Sequence, residues 1–138
     1  DYTMMGDTVN KAARLEGTNK VYETWIMASL DTVEAAGAEI LGREIDTVIL
    51  KGKARSIRIF ELIARNENAT EEEKSLCQDY EKALGLWRKR QWGDAASIFG
   101  ELANEGDGPS QVFMERLEQI RKHPLPDDWD GTFVMKSK

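Results

Sequence analysis

The sequence predicts an α+β chain written in two unequal styles. Short strand-like and helical runs alternate through residue 64, whereas residues 70–122 carry helical pattern only. Three observations support the division. Ile45, Thr47, Val48 and Ile49 form a β-branched extended stretch. Leu76, Tyr80, Ala83, Leu84 and Trp87 recur at helical spacing. Between the two styles runs a polar connector, Arg65-Asn66-Glu67-Asn68-Ala69-Thr70.

In chain order, residues 2–5 read as the end of a strand. Gly6-Asp7 is a turn whose Asp7 caps a helix over residues 8–16, and Gly17 stops that helix. Residues 26–29 make a short strand, 31–36 a short helix closed by Gly37, and 40–50 an extended segment. Gly52 turns the chain into a strand at 57–63, which should pair antiparallel with the strand before it. Thr70 with Glu73 three residues later is a capping box and opens the first tail helix. Gln91-Trp92-Gly93-Asp94 is expected to break that helix from the next, which carries Ala95, Ile98, Phe99 and Leu102. A third helix covers 109–122, with Val112, Phe113, Leu117 and Ile120 on its apolar face. The spacing of Trp92, Ala95 and Phe99 resembles the second half of a tetratricopeptide motif; a single unit cannot stand as a free solenoid, so this tail is expected to pack on the first part.

Charge narrows the function. Lys and Arg total 19 against 25 Asp and Glu, for a net of −6, which argues against a nucleic-acid module or a membrane-surface peptide. The single cysteine, Cys77, permits no internal disulfide and suits a reducing compartment. No apolar run is long enough to span a bilayer, and residues 1–6 lack the features of a signal peptide. The chain opens on Asp1 directly into strand-like sequence, so a piece of a longer protein is expected.

The stretch richest in chemistry is Gly6-Asp7-Thr8-Val9-Asn10-Lys11-Ala12-Ala13-Arg14-Leu15-Glu16. Asn10 and Arg14 are four apart and share a helix face, beside an apolar stripe of Val9, Ala12 and Ala13 small enough to lie close against a sheet. An amide and a guanidinium so placed suit phosphoryl transfer, because the Arg fork matches phosphate oxygens. By spacing alone, a surface ion pair and an ordinary first-turn Asn satisfy the pattern more often.

The wording of this stretch closely resembles the signature of class III adenylate and guanylate cyclases. The resemblance continues through Asn19-Lys20, residues 26–29, Arg43-Glu44-Ile45-Asp46, Val48-Ile49-Leu50-Lys51-Gly52-Lys53 and Phe60-Glu61-Leu62. It implies that residues 1–64 are the C-terminal half of a ferredoxin-like cyclase domain, followed by a linker at 65–70 and a helical, tetratricopeptide-like extension at 71–138 of a kind found in bacterial cyclases. The implied reaction is that of a lyase turning ATP into 3′,5′-cyclic AMP and pyrophosphate. Carried over by position, Asn10 orients the ribose and Arg14 stabilises charge on the α-phosphate. Thr3 reads the purine edge, compatibly with adenine although a hydroxyl discriminates less than a fixed acceptor. Lys51 contacts the terminal phosphates, with Lys53 as the alternative. The family also uses two Mg2+ or Mn2+ ions held by aspartates, which are expected upstream of residue 1, as is a lysine for adenine; Asp1 and Asp7 are not substitutes for the aspartates. Family sites form between two catalytic domains, so the partner implied is a second cyclase domain, most simply in a homodimer, and the fragment alone is expected to be inactive. The implied parent is anchored in a bacterial inner membrane, with this segment on the cytoplasmic side.

Two rivals remain: a guanylate cyclase, which turns on Thr3, and a non-catalytic scaffold that recruits partners through the helical tail. Other residues read as structural. His123 sits at a helix end without a metal-spaced partner; Cys77, Met4, Met5, Trp87, Trp92 and Phe113 read as packing. Asp127-Asp128-Trp129-Asp130-Gly131 lacks the ligand spacing of a calcium loop, so Trp129 is expected to anchor the end of the chain on the helices.

Overall fold

The computed structural model describes Tyr22, residues 27–49 and residues 55–134. Strand β1 (Met27–Ser29) leads directly into helix α1 (Leu30–Ala36), because Ser29 takes the N-cap and accepts from the Thr32 amide. Gly37, at φ 67°, ends the helix and returns its N–H to the Val33 carbonyl. After a 3-10 turn, strands β2 (Ile40–Ile49) and β3 (Ser56–Arg65) form the antiparallel pair expected from the sequence. β1 pairs antiparallel with the other edge of β3, so the order is β1-β3-β2, with β4 (Phe133–Val134) added parallel to β2. The expected strand at 2–5 and helix at 8–16 lie outside the described residues.

The β2–β3 ladder is irregular in two places. Gly42 stands at one of them, where a Cβ would come to 3.0 Å from the Glu61 carbonyl, a contact the backbone would have to shift to accommodate. The other falls at Ile45, an extra residue on β2 between the pairs Glu44–Phe60 and Asp46–Ile59. A bulge breaks the alternation of a strand, which explains why Arg43, Glu44, Ile45 and Asp46 are all buried in succession.

Beyond the connector, which forms one 3-10 turn at Asn66–Asn68, helix α2 (Glu71–Arg88) opens on the complete Thr70–Glu73 capping box, with both reciprocal bonds present at 2.9 and 3.0 Å. The expected break at 91–94 falls earlier. Lys89 caps α2, Arg90 takes the left-handed conformation at φ 62°, and α3 (Trp92–Asn104) begins at the tryptophan. Gly93 is therefore an ordinary first-turn residue, and the turn is closed by the Arg90 and Gln91 amides on the Trp87 and Leu86 carbonyls. Helix α4 (Gly108–Lys122) is capped by Asp107, whose carboxylate accepts from the Ser110 amide and hydroxyl. His123 ends it.

The sheet and the helices bury one continuous apolar cluster. Ile45, Val48 and Ile59 from the strands meet Tyr80, Leu84 and Trp87 of α2, Phe99 of α3 and Phe113 of α4. Phe99 and Phe113 stack at 4.7 Å, with Tyr80 edge-on to both. Trp129 packs edge-on against Trp87 at 5.5 Å and anchors the end of the chain on the helices, as its place in the sequence predicts. The architecture is α+β, with the helical part resting on the sheet.

Candidate functional site

Thr3, Asn10, Arg14 and Lys51, with the alternative Lys53, lie outside the described residues. Their flanks do not. β2 ends at Ile49, two positions before Lys51 in the sequence, and β3 begins at Ser56. Tyr22, six positions after Glu16, is fully buried.

What the structure brings together at these flanks is a set of buried ionic contacts between the sheet and the helices. The Arg43 guanidinium donates through Nε and Nη2 to one Glu61 oxygen, at 3.0 and 2.8 Å. It also forks onto both oxygens of Asp107, at 3.0 and 2.6 Å, while lying 4.6 Å over the Tyr80 ring. Burial alone would lower the Arg43 pKa; the Asp107 hydrogen bond and the neighbouring carboxylates reverse this and raise it. Asp107 thus serves both the cap of α4 and the anchor of α4 to β2.

A second cluster surrounds Glu44. Arg58, across the strand pair, forks onto both of its oxygens at 2.9 Å, and Arg88 from α2 adds a third bond and reaches the Thr47 hydroxyl. The bulge leaves backbone groups in need of partners, and α2 supplies them: Tyr80 donates to the Ile45 carbonyl at 2.9 Å, and Glu81 accepts from the Glu44 amide at 2.8 Å.

The third cluster spans the greatest sequence separation. Asp46 accepts from the Tyr22 hydroxyl at 2.8 Å, from Arg116 of α4 at 2.5 Å and from the Thr47 amide at 2.7 Å. Arg116 also donates to the Tyr22 hydroxyl at 2.9 Å and lies 3.7 Å over the Phe133 ring. Burial pushes the Asp46 carboxyl up against the pull of these donors, and it pushes the Tyr22 hydroxyl up in the same way. Beside this cluster lies a cavity of about 420 Å³, walled by Trp87, Ile120, His123, Trp129 and Phe133.

These side chains are saturated with partners, which suits them to hold geometry and not to carry reacting atoms. Among the described residues, no group of three or more His, Cys, Asp or Glu is placed to hold a metal ion. No helix among them is long and apolar enough to cross a membrane. Sequence reasoning assigned no role to Tyr22, Asp46 or Arg116. One signal was legible: Arg116 falls three residues after Phe113 and four before Ile120, so it stands on the face that the helix buries.

No family model matches the chain, and no solved structure does. Two curated proteins are similar to it. One is the terminal-differentiation-specific adenylate cyclase of Dictyostelium discoideum, 30% identical over 124 residues, 85% of this chain and 6% of that protein. The other is adenylate cyclase 1 of Rhizobium meliloti, 42% identical over 72 residues, 51% of this chain and 11% of that protein. The similarity supports a cyclase family for this chain. The chain spans only a small part of either relative's length, and at 85% coverage the first match must extend into the helices beyond residue 70.

Proposed function

We propose that these residues are the C-terminal part of a class III adenylate cyclase and supply the Asn and Arg half of a site shared between two catalytic domains. The observation that carries this reading is the coincidence of the Gly6–Glu16 signature, with Asn10 and Arg14 four residues apart in it, and similarity to two proteins that are both named adenylate cyclases. Both names also favour ATP over GTP.

In this reading the ribose 3′-oxygen attacks the α-phosphorus as the bond to pyrophosphate breaks, and the protein's work is positioning and charge stabilisation. Asn10 holds the ribose, Arg14 meets charge developing on the α-phosphate, Thr3 faces the purine edge and Lys51 the terminal phosphates. Two divalent cations would activate the attacking oxygen and steady the leaving group. The buried carboxylates Glu44, Glu61, Asp46 and Asp107 are engaged by arginines and do not fit as their ligands, which are assigned to the chain preceding residue 1. The complete enzyme would be a homodimer, linked to the bacterial inner membrane by segments outside these residues. The core shared by sheet and helices weighs against the rival reading of the tail as a separable recruiting module.

The test is turnover by the complete cyclase and its Arg14→Ala variant. Cyclic AMP formation from ATP should exceed cyclic GMP formation from GTP, and the variant should lose about 10²- to 10³-fold in kcat, the scale for removing one transition-state donor. Unchanged kcat would remove Arg14 from the mechanism. Residues 1–138 alone should form no cyclic nucleotide.

A further inference from the structure

We infer that the cavity beside Asp46 and Arg116 is a binding site for a small, uncharged, planar aromatic molecule that carries a hydrogen-bond acceptor. Nothing in this site depends on the cyclase reading. Its walls come from separate parts of the chain: Trp87 from α2, Ile120 from α4, Phe133 from β4 and Trp129 from the segment between α4 and β4. At about 420 Å³ it falls within the roughly 300–1,000 Å³ of small-molecule sites.

The segment that carries Trp129 is braced from elsewhere. Residues 124–132 form neither helix nor strand. Arg90, in the turn between α2 and α3, donates to the Pro126 carbonyl, which also accepts from the Trp129 amide at 3.1 Å. The Arg90 guanidinium lies 5.7 Å from the centroid of the Trp129 ring, the Trp129 Nε1 donates to the Thr132 carbonyl at 3.3 Å, and Gly131 turns the chain at φ 90°. These ties hold the segment as an arch along one side of the cavity. Interiors that close for packing alone fill to near crystal density, so a space of this size forfeits contacts that a bound molecule would restore.

The lining sets the class of ligand. Trp87, Trp129 and Phe133 give flat apolar walls suited to a ring system. Asp46 and Arg116, of opposite charge, are paired with each other at 2.5 Å. An ion entering beside this pair would shed its water without gaining an uncompensated counter-charge, so an uncharged molecule fits better. The acceptor answers Trp87. This side chain is 3% exposed, and its buried Nε1 has no hydrogen-bond partner among the described residues, a demand that native interiors ordinarily satisfy.

The probe is Prodan, an uncharged planar naphthyl ketone whose emission moves to shorter wavelength in an apolar site. Added to the 138-residue chain, it should give blue-shifted emission that saturates at one molecule per chain. Trp129→Ala should weaken binding about ten-fold, the scale of one aromatic contact and its buried area. The 6-propyl analogue, which keeps the ring system and lacks the ketone oxygen, should bind about ten-fold more weakly than Prodan, the scale of one hydrogen bond. Met114→Ala alters the neighbouring groove and not this cavity, and should bind normally. Phe133→Ala, on the two-residue strand β4, carries the test if circular dichroism shows that Trp129→Ala does not fold. Binding that does not saturate, that survives both Trp129→Ala and Phe133→Ala, or that Met114→Ala weakens equally would overturn the site. Equal affinity for the anion 1-anilinonaphthalene-8-sulfonate would overturn the preference for an uncharged molecule, and equal affinity for the propyl analogue would overturn the acceptor.

Discussion

Replacing Arg43 with alanine tests whether the helical part and the sheet form one cooperative unit. Arg43 is only 2% exposed and ties Glu61 of β3 to Asp107 at the start of α4. Its removal takes away the guanidinium that bridges these two carboxylates across the sheet–helix interface. Breaking a buried pair by deleting one partner costs about 3–5 kcal/mol, because the desolvation penalty of the remaining charge is no longer offset. That is a large fraction of the roughly 5–15 kcal/mol that holds a typical domain together. Loss of the contact with the Tyr80 ring acts in the same direction. The measurement is urea unfolding at neutral pH, followed in parallel by circular dichroism, which weights the helices, and by tryptophan fluorescence, to which Trp25, Trp87, Trp92 and Trp129 contribute. Arg43→Ala should shift both transitions together by about 3–5 kcal/mol with an unchanged slope. Arg121→Ala, which breaks only an exposed pair with Glu118, should change nothing measurable. A loss below about 1 kcal/mol for Arg43→Ala would show that water reaches the triad and that surface values apply. Transitions that separate would show that the packing around the tryptophans is lost independently of the helices.

Three further outcomes follow from the same interface. Burial would raise the Glu44 pKa, but the hydrogen bonds from Arg58 and Arg88 outweigh it and hold the group below the usual carboxylate range. A depressed folded-state pKa gives stability that is present above the unfolded pKa, about 4.3, and is lost as pH falls below it; the acid-side loss should be smaller in Glu44→Gln, and equal losses in both proteins would refute the assignment. Burial pushes the Cys77 thiol up to about 11, so iodoacetamide at pH 8 should modify the folded protein about 100-fold more slowly than the urea-unfolded chain, as read by intact mass; comparable rates would contradict its buried placement. Tyr80→Phe removes the donor to the Ile45 carbonyl at the bulge and should cost about 1–2 kcal/mol in urea unfolding, whereas a neutral effect would mean that water replaces it.

Much of the local architecture was legible from residues close together in the chain. Gly37, the Thr70–Glu73 box and the β-branched run at 45–49 act over a few residues, so composition and spacing suffice to place the elements they begin or end. The turn at Arg90 was not legible, because a left-handed arginine carries no compositional mark and the nearby Gly93 offered a more familiar breaker. For the candidate site the division is sharper. Asn10, Arg14, Thr3 and Lys51 come from sequence resemblance, and the described residues contain none of them.

By itself, the sequence determined the α+β class, the order of strands and helices from residue 27 to 122 and the polar connector between the two styles of chain; it gave no sign of β4. It also carried the motif on which the cyclase reading rests. Only the tertiary structure decided that Arg43 joins Glu61 to Asp107, that Asp46 gathers Tyr22 and Arg116, and that the end of the chain returns to β2. The physical reason is range. Capping, turns and periodicity are encoded within one or two turns of chain, but an ionic partner 64 or 70 residues away is chosen by which faces meet when the core closes. A single bulge at Ile45 changes which side chains of β2 enter that core, and with it the electrostatics of the whole interface.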